Sequence, residues 1–271
     1  LDLRVNTLRA RRDAVRAQLA AAGVASEPTP YSPWGLRVEG KPALQRLDLV
    51  RRGDVEVQDE GSQLLALLTG ARRGETVADF CAGAGGKTLA IGAMMRNQGR
   101  LYAFDVAASR LAALAPRLQR SALTVVYPMA IAHERDARLA RLAGKVDRVL
   151  VDAPCSGLGT LRRSPDLAWR QTPATVQALP VAQRGVLDAA ADLVKPGGRL
   201  VYATCSVLVD ENDAVADAFT ASRPDFTAVD AAALLRQAGV ADAGALTQGG
   251  RLRLWPHRHG TDGFFAAVWR R

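Results

Sequence analysis

Apolar residues follow two different rhythms along the chain, and the change falls near residue 75. Before it, Leu1 to Val5 is an extended start. Leu8, Val15, Leu19 and Ala22 then share one helical face over Arg9–Ala22, with Gly23 as the stop. Pro28, Pro30 and Pro33 mark a loop, Gly35–Glu39 a strand, and Asp54–Gln58 alternates as a half-buried strand does. Leu64, Leu65, Leu67 and Leu68 predict a helix over Glu60–Thr69, closed by Gly70. A small α+β domain over residues 1–70 is expected.

Beyond it, short aliphatic runs alternate with Ala/Leu-rich helical windows, the signature of a parallel α/β sheet. Seven strands are expected: Thr76–Phe80, Arg100–Asp105, Leu123–Tyr127, Val146–Asp152, Arg199–Thr204, Phe226–Val229 and Phe264–Trp269. Helices are expected near Lys87–Met95, Ala107–Arg120, Ala174–Leu193 and Asn212–Ala221, with Pro180 starting or kinking part of the third. Residues 71–271 thus form the second, larger domain.

Composition narrows the class. A chain of 271 residues that is 48% hydrophobic can close a large core, and no apolar run nears the ~18 residues of a membrane span. The chain opens on Leu1 with no secretion signal, which fits a fragment or processed protein. Cys81, Cys155 and Cys205 are too widely spaced for a disulfide framework or a zinc pair, so reduced thiols, a cytoplasmic setting and no metal are expected. The +9 net charge rests on 32 Arg and four Lys, and arginine forks suit phosphate, although an Arg bias also follows from genomic base composition. Residues 76–150 carry 11 basic against 5 acidic side chains, whereas 151–271 carry 13 against 12. That localisation favours a basic face and a polyanionic partner.

The most informative local string is V-A-D-F-C-A-G-A-G-G-K-T (Val77–Thr88), a strand entering a glycine-rich turn and then a helix. Gly83, Gly85 and Gly86 allow close backbone approach, and the helix start offers free N–H groups, so a nucleotide-like ligand is expected. Cys81 stands where the phosphate-binding G-x-x-x-x-G-K-[ST] pattern needs Gly, which disfavours an NTPase. The next strand ends in Asp105, roughly 20 residues on, where a carboxylate can accept ribose hydroxyls. Asp136 follows the third strand and Asp152 ends the fourth, all near the edge where open α/β sheets bind ligands. Each of these Asp residues would also serve as an ordinary cap or turn former. D-A-P-C-S-G-L-G-T (Asp152–Thr160) and A-T-C-S (Ala203–Ser206) bring Cys155 and Cys205 to the same edge if their strands are neighbours, which suggests thiolate chemistry. His133, His257 and His259 flank neither Cys, so a Cys–His hydrolase lacks its local signature.

D-F-C-A-G-A-G-G-K-T, D-A-P-C-S-G-L-G-T-L-R-R-S-P-D and L-V-Y-A-T-C-S-V-L-V-D-E-N, with Q-D-E-G-S-Q (Gln58–Gln63) and D-G-F-F (Asp262–Phe265), resemble the RNA cytosine-C5 methyltransferases of the NOL/NOP/Sun family over essentially the whole chain. The R-R-x-P-D-x-x-W pattern at Arg162–Trp169 is nearest the B type of its bacterial members that act on 16S rRNA. Two departures are expected from the resemblance: Gly83 and Ala84 replace the family's Ala-Pro, and the sequence read from Leu1 would lack the NusB-like N-terminal domain.

The resemblance implies a Rossmann-like, seven-stranded S-adenosyl-L-methionine-dependent methyltransferase with an RRM-like, RNA-binding N-terminal domain, acting as a monomer off the membrane. It implies that Cys205 attacks cytosine C6, that Cys155 assists proton removal or product release, and that Asp152 and Lys87 serve the base. Cys81, Ala82, Gly83, Ala84, Gly85, Gly86 and Lys87 would hold the cofactor, Asp105 its ribose, and Asp136 and Asp152 its adenine and methionine surroundings. For RNA contact the candidates are Arg162 and Arg163, then Arg9, Arg11, Arg12 and Arg16, with Trp34 and Trp169 for stacking. Transfer to another RNA such as tRNA, to DNA, protein or a small molecule, and a non-catalytic RNA-binding assembly factor are the alternatives.

Overall fold

In the computed structural model, which describes residues 1–40 and 42–271, the first strands form a sheet of their own. Its members β1 (Asp2–Val5), β2 (Ser26–Pro28), β3 (Gly35–Val38) and β4 (Val55–Val57) run in the order β2-β3-β1-β4, every pair antiparallel. The helix Arg12–Ala21 lays Val15 and Leu19 on one face, where they meet Leu3, Val5, Leu36 and Val55. The segment around Pro28, expected as loop, is instead the edge strand β2, the one place in a sheet where a residue without an N–H is harmless.

The large sheet has a parallel centre: β5 (Thr76–Asp79), β6 (Arg100–Asp105), β7 (Val126–Ala130), β8 (Val146–Asp152) and β9 (Val194–Thr204), in the order β9-β8-β5-β6-β7. The chain winds outward from β5 to β7 and then jumps to β8 on the other side. The crevice at the C-terminal ends of β5 and β8 is therefore the topological switch point. Beyond β9 the sheet turns antiparallel through β13 (Phe264–Arg270) and β12 (Arg251–Leu254), with two-residue additions β10 (Thr227–Ala228) on β13 and β11 (Thr247–Gln248) on β12.

The Rossmann-like sheet is the expected one, with three local corrections. β7 lies three residues later than 123–127, because Leu123 is drawn into the packing beneath the sheet, and the edge position tolerates Pro128. β9 begins at Val194 rather than Arg199. The seventh place belongs to β12, whose Leu252 and Leu254 are buried between Arg251 and Arg253, while Phe226–Val229 contributes only β10.

The helices Glu60–Thr69 and Gly86–Met94 cover one face, packing Leu64, Leu65, Ala90 and Ile91 on Val77, Leu150 and Val201. Pro173–Ala191 and Asp213–Ser222 cover the other with Leu187, Ala190, Val215 and Phe219. The former runs through Pro180 without a break, ahead of its buried end. Among the described residues no helix is long and apolar enough to cross a membrane.

Candidate active site

The glycine-rich turn begins where β5 ends. Gly83 (φ +55°) and Gly85 (φ +81°) occupy the left-handed region, and Gly85 caps the helix that starts at Gly86. A Cβ on Gly85 would overlap Leu114 Cδ1, so this turn requires glycine on two grounds. The turn is tied to the end of β6: Gly83 N–H donates to Asp105 Oδ2 (2.7 Å), and Ala107 N–H donates to Asp105 Oδ1 (2.8 Å). Beneath the turn Asp79 is wholly buried, accepting from the Thr88 hydroxyl at 2.7 Å. Burial outweighs that hydrogen bond and pushes its carboxyl up to about 7. Cys81 is pushed well up as well, by burial and then by nearby carboxylates, so it suits the wall of a site better than its nucleophile.

The two remaining cysteines meet. Parallel pairing of β8 and β9 aligns Asp152 with Ala203, and the loops beyond bring Cys155 Sγ to 3.3 Å from Cys205 Sγ. Lys87 Nζ donates to Asp152 Oδ2 at 2.7 Å beside them. Burial opposes the Lys87 charge, but Asp152 more than restores it and its pKa is raised. The Cys205 thiol is lowered, first by the hydrogen bond from Cys155 and, against burial, by the Lys87 ammonium. Cys155 rises through the same hydrogen bond and through burial. Of the two thiols, Cys205 is therefore the one that ionises more readily and Cys155 the one that holds its proton more firmly.

Glu211, to which the D-E-N string by itself assigns no role, anchors both cysteine loops. Fully buried, it accepts from Ser156 N–H (2.8 Å), Ser156 Oγ (2.5 Å), Ser206 Oγ (2.5 Å) and Gln183 Nε2 (2.9 Å). Ser156 and Ser206 each follow one cysteine, so one carboxylate fixes both sulfurs. Gly159 N–H donates to the Cys205 carbonyl (2.9 Å), and Gly263 N–H of D-G-F-F to that of Gly159 (2.7 Å). The serine after each Cys is a local sequence signal for such an anchor, but the sequence does not mark which acid serves it.

A cavity of about 390 Å³ opens between these loops, lined by Cys81, Asp105, Val106, Ile131, Asp152, Pro154, Cys155 and Cys205 among others. That size and its apolar walls with few polar groups suit a nucleoside-sized ligand. Asp136 is not in its wall: the carboxylate caps its own turn, accepting from Ala132 N–H (2.9 Å) and Arg138 N–H (3.0 Å), and the Arg138 hydrogen bonds hold it well below the usual carboxylate range. Arg162 and Arg163 are exposed yet paired, both reaching Asp59 (2.8 and 2.7 Å) and Asp262. They strap the start of helix Glu60–Thr69 to D-G-F-F. Trp34 packs against the core, whereas Trp169 is 89% exposed.

The family model of the 16S rRNA methyltransferases RsmB/F matches residues 66–270, and that of the RsmF/B-like ferredoxin-like domain matches residues 1–45. A "Probable ribosomal RNA small subunit methyltransferase B" of Synechocystis sp. is 39% identical, over 98% of this chain and 59% of its own. The ribosomal RNA small subunit methyltransferase B of Sodalis glossinidius is 38% identical, over 98% of this chain and 58% of its own. The chain therefore spans somewhat under two thirds of these relatives. Among solved structures, a methyltransferase homolog protein from Pyrococcus horikoshii has a TM-score of 0.82 at 26% identity, covering 100% of this chain and 86% of that one. NSun6 from the same organism, solved with SFG, has a TM-score of 0.82 at 21% identity over 99% and 90%, a likeness of fold. The chain belongs to the 16S rRNA methyltransferase RsmB/F family.

Proposed function

We propose that this chain transfers a methyl group from S-adenosyl-L-methionine to C5 of a cytosine in 16S rRNA, with Cys205 as the attacking thiolate. The observation that carries the reading is the sulfur pair at 3.3 Å beside the Lys87–Asp152 pair, with the Cys205 thiol lowered by its hydrogen bond with Cys155. Cytosine C5 is a poor nucleophile until a thiolate adds at C6 and turns it into the carbon of an enamine. Cys205 Sγ forms that bond. Asp152, fixed by Lys87, faces the N3/N4 edge. Cys155 gives up its own proton to solvent once Cys205 is bonded to the base; its thiolate then takes the C5 proton, and the C5–H electron pair restores the C5–C6 double bond as Cys205 leaves C6 as a thiolate. When bound, S-adenosyl-L-methionine supplies the methyl group as an electrophile. The residues fit it: Cys81 and Asp105 line the cavity, the left-handed glycines follow directly after Cys81, and each Asp105 oxygen accepts one N–H and keeps a lone pair. A base paired in the substrate must leave its stack to enter, which costs a few kcal/mol.

The test is labelled-methyl transfer into 16S rRNA, tRNA and DNA, followed by nucleoside analysis. Label at cytosine C5 of 16S rRNA is expected, and Cys205→Ala should lower transfer by at least ~10⁴-fold, as loss of a covalent nucleophile does. Full activity in that variant would overturn the reading.

A further inference from the structure

A second groove, of about 700 Å³, lies at the opposite ends of the same strands. Tyr102 on β6 and Tyr127 on β7 are register partners with ring centroids 5.7 Å apart, and Tyr127 is 49% exposed. They are open because the connection from β7 to β8 holds only the 3-10 turn Ala137–Leu142, where the rest of this face is covered by long helices. Around the rings stand the exposed cations Arg100, Arg141 and Lys145. None forms an ion pair among the described residues, and the nearby carboxylates are taken, Glu75 by Arg148 (2.9 Å) and Asp147 by Lys195. These cations belong to the segment, residues 76–150, where the basic excess concentrates.

We infer that this groove is a second RNA site, which stacks an unpaired base on Tyr127 and holds the adjoining phosphates with Arg100, Arg141 and Lys145. Unpaired cations around an exposed aromatic face are the combination that retains single-stranded nucleic acid without reading its sequence. A neutral or basic protein surface covering this groove would leave three uncompensated charges under it, whereas phosphates neutralise them and an unpaired base adds stacking on Tyr127. β6 spans roughly 17 Å at ~3.3 Å per residue, so the groove is within reach of an RNA whose target base enters the cysteine site. The inference rests on the RNA reading above and extends the RNA-binding surface beyond the reacting base.

The experiment measures binding of a fluorescently labelled single-stranded RNA across a salt series, without S-adenosyl-L-methionine. With Arg100, Arg141 and Lys145 all changed to Glu, the log–log salt slope should fall by about 2, near 0.7 for each phosphate no longer neutralised. Tyr127→Ala should weaken binding roughly 5- to 150-fold, the range for removal of one stacking partner, and Tyr127→Phe should not. Thermal melts of each variant distinguish weaker binding from unfolding. Unchanged affinity and slope in the triple variant overturn the proposal, as does unchanged affinity with a shifted sedimentation coefficient, the mark of a protein–protein interface. Binding is read apart from methyl transfer, so a chain that binds RNA here yet methylates none refutes the activity and leaves the groove standing.

Discussion

At the C-terminal ends of β5, β8 and β9, Lys87 holds Asp152, Cys155 faces Cys205, and Glu211 takes four donors out of sight of water. At the N-terminal ends of the same sheet Arg100, Arg141 and Lys145 stand in solvent with no counter-ion among the described residues. On the proposed reading, the difference separates chemistry from attachment. A reacting thiolate needs a fixed position and a displaced pKa, which burial and shared hydrogen bonds supply. A polyanion needs unspent charge, which only exposure preserves.

Substitutions sharpen that contrast. The largest effect is that of Cys205→Ala on transfer, with RNA affinity unchanged. Next, Glu211→Ala leaves the buried Ser156 N–H without an acceptor, Ser156 and Ser206 with only each other, and Gln183 with only the Pro154 carbonyl, and should cost about 3 kcal/mol, lowering Tm by roughly 6–12 °C in a melt. Glu211→Gln keeps the volume but sets an amide against the two hydroxyls. It should recover most of the Tm while kcat stays low and KM for RNA is unmoved.

Asp79 gives a pH-dependent effect. Its folded pKa, about 7, lies above the ordinary value of 3.8, so near neutral pH the folded chain holds a proton that the unfolded chain has released. That contribution is complete below pH 4 and is lost as pH rises through 7. Melts of the wild type and Asp79→Asn from pH 4 to 8 should show the wild type's relative stability declining across that window. The smallest effect is that of Arg163→Ala: with Arg162 still holding both carboxylates, about 1 kcal/mol is expected in a denaturant titration, and the RNA salt slope should not change.

The parts of the fold legible in the sequence are those where one physical requirement dominates a short segment. A strand running into Gly83-Ala84-Gly85-Gly86 has few alternatives, and the cysteine strings follow aliphatic runs that pair as expected. β12 is hidden because a half-buried strand near the end of the sheet alternates Arg with Leu, and its arginines face acids from another helix, Asp213 and Asp217. Glu211 is hidden for a related reason: an acid in D-E-N reads as surface until its donors, Gln183 and Ser156, 28 and 55 residues away, are folded around it. The Arg162–Arg163 pair announces charge but not its use, since Asp59 lies about a hundred residues upstream.

The central claim is that Cys205 bonds to the base and Cys155 ends that bond. It is tested most directly by incubating Cys155→Ala with S-adenosyl-L-methionine and labelled 16S rRNA and resolving the products on a denaturing gel. A slow-migrating protein–RNA adduct is predicted, absent when Cys205 is also changed to Ala. An adduct that survives loss of Cys205, or none in the single variant while it methylates at the wild-type rate, would contradict the account.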